Sequence, residues 1–141
     1  MATINPNECS IFIQVWVDTN ALQNGSMNGV YLVDNNLNNN LNNGSGSEGT
    51  SSLVTNVTTN AKICWSILNT NLNSKVQLSF SNFSNASVFG ASGTPQAYDD
   101  TTWTGQAEAN GHAPYSITFN AQEPGKAGIS TTVTPTLYVH S

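Results

Sequence analysis

Three features of this sequence predict an all-β protein, a single-domain antiparallel β-sandwich. First, the stretch Ser10–Asp18, SIFIQVWVD, puts Ile11, Ile13, Val15 and Val17 on one side of an extended chain and Phe12, Gln14, Trp16 and Asp18 on the other. A period of two with β-branched and aromatic residues marks a strand with one dry face. Both faces carry apolar weight, which places this strand in the middle of a sheet. Second, seven to nine such segments follow at regular spacing with turn chemistry between them. Third, no segment has convincing helical periodicity. That combination belongs to immunoglobulin-like or jelly-roll-like sandwiches.

The elements follow in order. Ala21–Gly29 holds Asn-Gly twice and reads as a turn; Gly29–Asp34, GVYLVD, is a short strand. Asn35–Ser51, NNLNNNLNNGSGSEGTS, is a long polar surface loop, with Leu37 and Leu41 as its only apolar side chains. Ser52–Thr58 and Ala61–Leu68 are strands broken at Thr59-Asn60, and Asn69–Ser74 is a turn. Lys75–Ser81, KVQLSFS, is the cleanest alternation: Val76, Leu78 and Phe80 inward, Gln77, Ser79 and Ser81 outward. Ala86–Phe89 reads as a short extension before the Gly90–Pro95 loop. Thr101–Ala109 alternates weakly around Trp103. Ala113–Ala121 sets Tyr115, Ile117 and Phe119 on one face. Ile129–His140 closes the chain, with Pro135 predicting an edge position or a bulge. Gly111-x-x-x-Tyr115 resembles the tyrosine corner of such sandwiches.

At 141 residues the chain has the length of one domain with a genuine core, residues 1–141. Charged residues make up 8% against a typical ~25%. Twenty-one Asn, with Ser, Thr and Gly, fill the gap; Arg is absent, and Lys62, Lys75 and Lys126 are the only strong bases. Binding several phosphates takes a basic patch. Three scattered lysines in a chain of net charge −5 argue against nucleic acid and anionic membranes as partners. The first ten residues carry neither a basic nor an apolar signal region, and no apolar run nears the ~20 residues that span a bilayer. The expected location is the cytoplasm.

Cys9 and Cys64 are the only cysteines. A cytoplasmic protein favours two reduced thiols; a disulfide joining the first strand to a central one is the alternative. Without CxxC spacing, and with only His112 and His140 besides, a structural zinc site is not expected.

Several segments together resemble the inclusion-body protein family typified by PixA and AidA. Ile13-Gln14-Val15-Trp16-Val17-Asp18-Thr19 followed by Leu22 matches its opening strand into Val-Asp-Thr. Tyr31-Leu32-Val33-Asp34 matches the next strand. Gly44–Gly49 followed by Ile63-Cys64-Trp65 matches a glycine-serine tract leading to a strand that ends in Trp. Trp103, Gly111 and Tyr115–Phe119 then fall in the family's order. The chain departs from the pattern in three ways: it is shorter, Asn60-Ala61 and Cys64 replace a Gly-Asp and an Arg, and the long connector shrinks to Phe83–Pro95. The resemblance implies a β-sandwich that accumulates in bacterial cells, often as inclusions, and no catalytic chemistry.

Candidate sites are few. Nucleophilic catalysis would need Ser or Cys beside His112 or His140, and a carboxylate pair would need Asp99-Asp100 with Glu108 or Asp18. Neither pattern is specific, so the chain is expected not to be an enzyme. Tyr98, Asp99, Asp100 and Trp103 form the best ligand-binding constellation, aromatic plates beside carboxylates as a glycan site needs. No cofactor is required, and calcium is the ion those carboxylates would hold. The leading expectation is self-association in the bacterial cytoplasm, with Gln77, Ser79 and Ser81 as the assembly face. Small polar side chains cost less rotamer entropy to order than Lys or Glu, and few lysines guard the strand edges. A small carbohydrate-binding module is the alternative.

Overall fold

The structure, a computed structural model, describes residues 4–19, 29–35, 49–71, 73–125 and 128–140. Most of the turn expected at Ala21–Gly29 and of the Asn35–Ser51 loop, including Leu37, Leu41 and Gly44–Ser47, lies outside them. After a three-residue 3-10 turn at Pro6–Glu8, the strands are β1 (Ile11–Val17), β2 (Val30–Asp34), β3 (Val54–Thr58) and β4 (Ala61–Asn69). Then come β5 (Gln77–Phe83), β6 (Gln96–Ala97), β7 (Thr102–Ala107), β8 (Gly111–Pro114), β9 (Ile117–Gln122), β10 (Ile129–Val133) and β11 (Thr136–His140). Ala86–Phe89, expected to be extended, instead yields a second 3-10 turn over Ser87–Phe89. It packs the buried Val88 and Phe89 into the core.

One layer is a five-stranded sheet in the order β2-β1-β4-β7-β6, with β1 inside it as its two apolar faces require. Ile13, Val15 and Val17 are fully buried while Phe12 is exposed. The sandwich is antiparallel with two exceptions: β1 runs parallel to β4, and β3 parallel to β11. Period-two patterning assigns faces but not strand direction, so neither parallel pair could be read from it.

The opposite layer comprises β10-β9-β5 and β3-β11-β8. These are two halves of one long hairpin. Ile129 faces Ala121, Val133 faces Ile117, Thr136 faces Pro114 and Val139 faces Gly111, an unbroken register. Between the halves Tyr115 N donates to Pro135 O at 3.0 Å, and Pro135 has no N–H to return that bond. The ladder breaks there, and the halves take different outer partners: β5 beside β9, β3 beside β11. The interruption expected at Pro135 is therefore a gap in a continuous hairpin.

β5 departs from simple alternation. Phe80 faces Phe119 and Asn82 faces Thr118, leaving Ser81 as the extra residue of a bulge. The bulge resets the period so that Phe80 and Phe83 both turn inward. Side chains of both layers meet in one cluster around Trp65, whose ring contacts Phe83, Phe89 and Tyr115 edge to face. Among the described residues, no helix is long and apolar enough to cross a membrane.

Candidate functional site

The segment that carries the expected ligand site is a tight turn between β6 and β7. Asp99 builds it: its Oδ1 accepts from Thr101 N at 2.9 Å and from Thr101 Oγ1 at 3.2 Å. Tyr98 N and Asp99 N both donate to Thr102 O. The turn is fastened to its neighbours through carbonyls: Asp100 O accepts from Phe80 N at 2.8 Å, and Thr101 O from Ile67 N at 3.1 Å. The Tyr98 ring is half exposed.

Trp103 goes elsewhere. It lies opposite Trp65 in the β4–β7 ladder, on the core side, and stacks on Phe83 with centroids 4.9 Å apart and planes 21° from parallel. Tyr98 and the two carboxylates are thus grouped by the turn, while one face of Trp103 belongs to the core.

The fold also joins two sets of residues that the sequence kept apart. A cleft of about 390 Å³ is lined by Gln77, Leu78, Ser79, Asp100, Thr101 and Gln122. Asp100 of the expected ligand site therefore shares a wall with Gln77 and Ser79 of the expected assembly face. Ser81 is the bulge residue itself, exposed, its Oγ donating to Thr118 O at 3.2 Å. Thr101 and Gln122 were not singled out from the sequence, and Leu78 was expected only as an inward residue. Gln122 enters because it faces Gln77 across β5 and β9, a pairing no local pattern encodes.

The other titratable residues are dispersed. Glu108 accepts from Ser92 N and Ser92 Oγ, away from Asp99 and Asp100. His112 and His140 flank Tyr138 on the β8–β11 face, at ring distances of 5.2 and 5.9 Å. Among the described residues, no group of three or more His, Cys, Asp or Glu is placed to hold a metal ion.

Both cysteines carry free thiols. Burial, then the Cys64 thiol beside it, pushes Cys9 up to about 12. Burial likewise raises Cys64. The hydroxyl of Tyr115 meets the indole of Trp65, not the backbone as a tyrosine corner would require. Burial raises it above the ordinary phenol range.

Two facing layers around one aromatic cluster define a β-sandwich protein. The chain belongs to the family described as a domain of unknown function, DUF8788, whose model matches residues 9–127. A crystal structure of the inclusion body protein PixA from Burkholderia cenocepacia has the same fold, with a TM-score of 0.65 at 14% identity. The match covers 96% of this chain and 99% of that one. The likeness to the PixA family drawn from the sequence is thus found again in the fold. No curated protein sequence matches.

Proposed function

We propose that this chain is a non-enzymatic structural protein of the bacterial cytoplasm that associates with copies of itself and accumulates in inclusions. One observation carries the reading. The strands at the ends of the three sheets are β2, β6, β10, β5, β3 and β8. Asp34 and His112 are the only titratable side chains on these strands apart from the Tyr31 phenol, and Asp34 is buried. Soluble β proteins guard such edges with lysine and other charges, because an edge offers backbone donors and acceptors to the next molecule. Here charged guards are missing, although Leu32 of β2 already pairs with Thr50 and Phe80 N of β5 with Asp100 O. The surrounding Asn, Ser and Thr are cheap to order against a neighbour. The inclusion body protein that shares the fold supplies a precedent. Light scattering across a concentration series tests the reading: the average mass should climb with concentration. A constant monomer mass would end it.

The cleft shared by Asp100, Gln77, Ser79 and Gln122 favours a second reading, a small lectin-like module. Its amides, hydroxyls and one carboxylate suit the hydroxyls of a neutral glycan, and the exposed Tyr98 lies two residues from Asp100. A calcium-assisted form would draw on the carboxylates of Asp99 and Asp100. A glycan array probed with and without a calcium chelator tests both forms. Absence of glycan binding in either condition removes this reading.

A further inference from the structure

Cys64 is buried on the wrong side of its sheet. Its neighbours Ile63, Trp65 and Ile67 face the core, so alternation turns Cys64 to the outer face. It is nevertheless only 3% exposed. Thr104, its partner in the β4–β7 ladder, also points outward and is 2% exposed.

The cover is the N-terminal segment, residues 4–9. Thr104 Oγ1 donates to Ile4 O at 2.7 Å. Glu8 pairs with Lys62 at 3.1 Å, and Ser10 N donates to Lys62 O at 3.1 Å. Within the strap a capping box joins Asn5 and Glu8 around the 3-10 turn. The strap ends on Cys9, whose Sγ donates to Asn5 O at 3.9 Å and whose thiol lies beside that of Cys64. The two cysteines of the chain, 55 positions apart, are neighbours.

We propose that Cys9 and Cys64 are a modification site for low-molecular-weight disulfides, which convert the strap from a hydrogen-bonded cover into a covalently fastened one. The partly exposed Cys9 reacts first. Its thiolate attacks one sulfur of RSSR, forming a Cys9–SR mixed disulfide and releasing RS⁻, which takes up a proton. The Cys64 thiolate then attacks the Cys9 sulfur, forms the Cys9–Cys64 bond and releases the second RS⁻. The protein loses two electrons and two protons; RSSR gains them as two RSH.

Cys9 is flanked by Glu8 on its own segment and by Lys62 and Cys64 on β4, and Cys64 is approached by Asp99. A thiol held near 12 has little thiolate at neutral pH. The first step therefore speeds up about tenfold per pH unit through the mildly alkaline range.

The full chain is incubated with oxidised glutathione and followed by thiol titration and intact mass. The wild type should lose both thiols together, fall in mass by two hydrogens and keep no adduct. Cys64→Ser should stop at a single glutathione adduct on Cys9, while Cys9→Ser stays unmodified in the folded state. Thr104→Val, which frees the strap at Ile4 without altering charge, should speed the first step. Thermal melts of the serine variants confirm that they are folded. A lasting glutathione adduct on the wild type, disulfide-linked dimers, or two thiols surviving excess oxidant at about pH 9 would overturn the proposal.

Discussion

The indole Nε1 of Trp65 donates a 3.0 Å hydrogen bond to Oη of Tyr115 in the middle of the sandwich. Trp65 comes from β4 in one layer, and Tyr115 from the gap between β8 and β9 in the other. Their rings also meet edge to face at 5.9 Å. The bond satisfies two buried polar groups at the place where the hairpin ladder is broken. Tyr115→Phe keeps the ring but leaves the indole N–H without its acceptor, at a cost of about 1–3 kcal/mol. Urea unfolding measures this; a loss below about 0.5 kcal/mol would mean that water or another group takes over.

Alkali should destabilise the fold through Cys9 and Tyr115. Both have folded values raised above their ordinary 9.0 and 10.0, mainly by burial. Unfolding therefore releases their protons at lower pH. Their stabilising contribution is complete below those values and drains as pH rises, for Cys9 between 9.0 and about 12. The urea midpoint should fall between about pH 8 and about pH 10.5, and fall less in a Cys9→Ser, Tyr115→Phe double variant. A midpoint that ignores pH in the wild type would contradict this.

Gly93 is where backbone approaches backbone. A Cβ there would run into the carbonyl oxygens of Gln106 and Phe89, and Gln106 N already donates to Gly93 O at 2.9 Å. Neither carbonyl can rotate away as a side chain would. Gly93→Ala should cost about 3 kcal/mol or more. Gly125, at φ +80° with open space around it, should lose only about 1–2 kcal/mol on the same change. Thermal melts of the two variants should rank in that order.

At the turn, Asp99 and Asp100 should separate. The Asp99 carboxylate holds Thr101, so Asp99→Ala should cost about 1 kcal/mol whatever the protein binds. Asp100→Ala should leave the melting temperature nearly unchanged and remove glycan binding if the cleft is a sugar site. A large stability loss in Asp100→Ala would make it a structural residue.

Much of the fold was legible because it follows from period-two patterning. The core face of β1, the break at Asn60 and the place of Pro135 were all readable, and Asn60 does take a positive φ of 73°. Four things were not. Parallel pairing of β1 with β4 leaves no local trace. The bulge at Ser81 resets a period that looked continuous through Lys75–Ser81. Trp103 was readable either as a cap on the core or as part of a ligand site, and only the fold shows Phe83 stacked on it. The cleft that joins Asp100 to Gln77 and Gln122 depends on strands 20 or more residues apart, so its composition had no sequence signal.

The central claim is self-association through unguarded, charge-poor strands, and sedimentation velocity tests it most directly. Two variants put charge where the wild type has none: Gln77→Lys, Ser79→Lys and Ser81→Lys together on β5, and Thr132→Lys on the exposed side of β10. Each adds like charge and ordering cost at every copy of a contact while leaving the inward Phe80, Thr131 and Val133 in place. At high concentration the wild type should sediment as oligomers or particles, with at least one Lys variant shifted towards monomer. A wild type that sediments as a monomer across the whole concentration range would contradict the account.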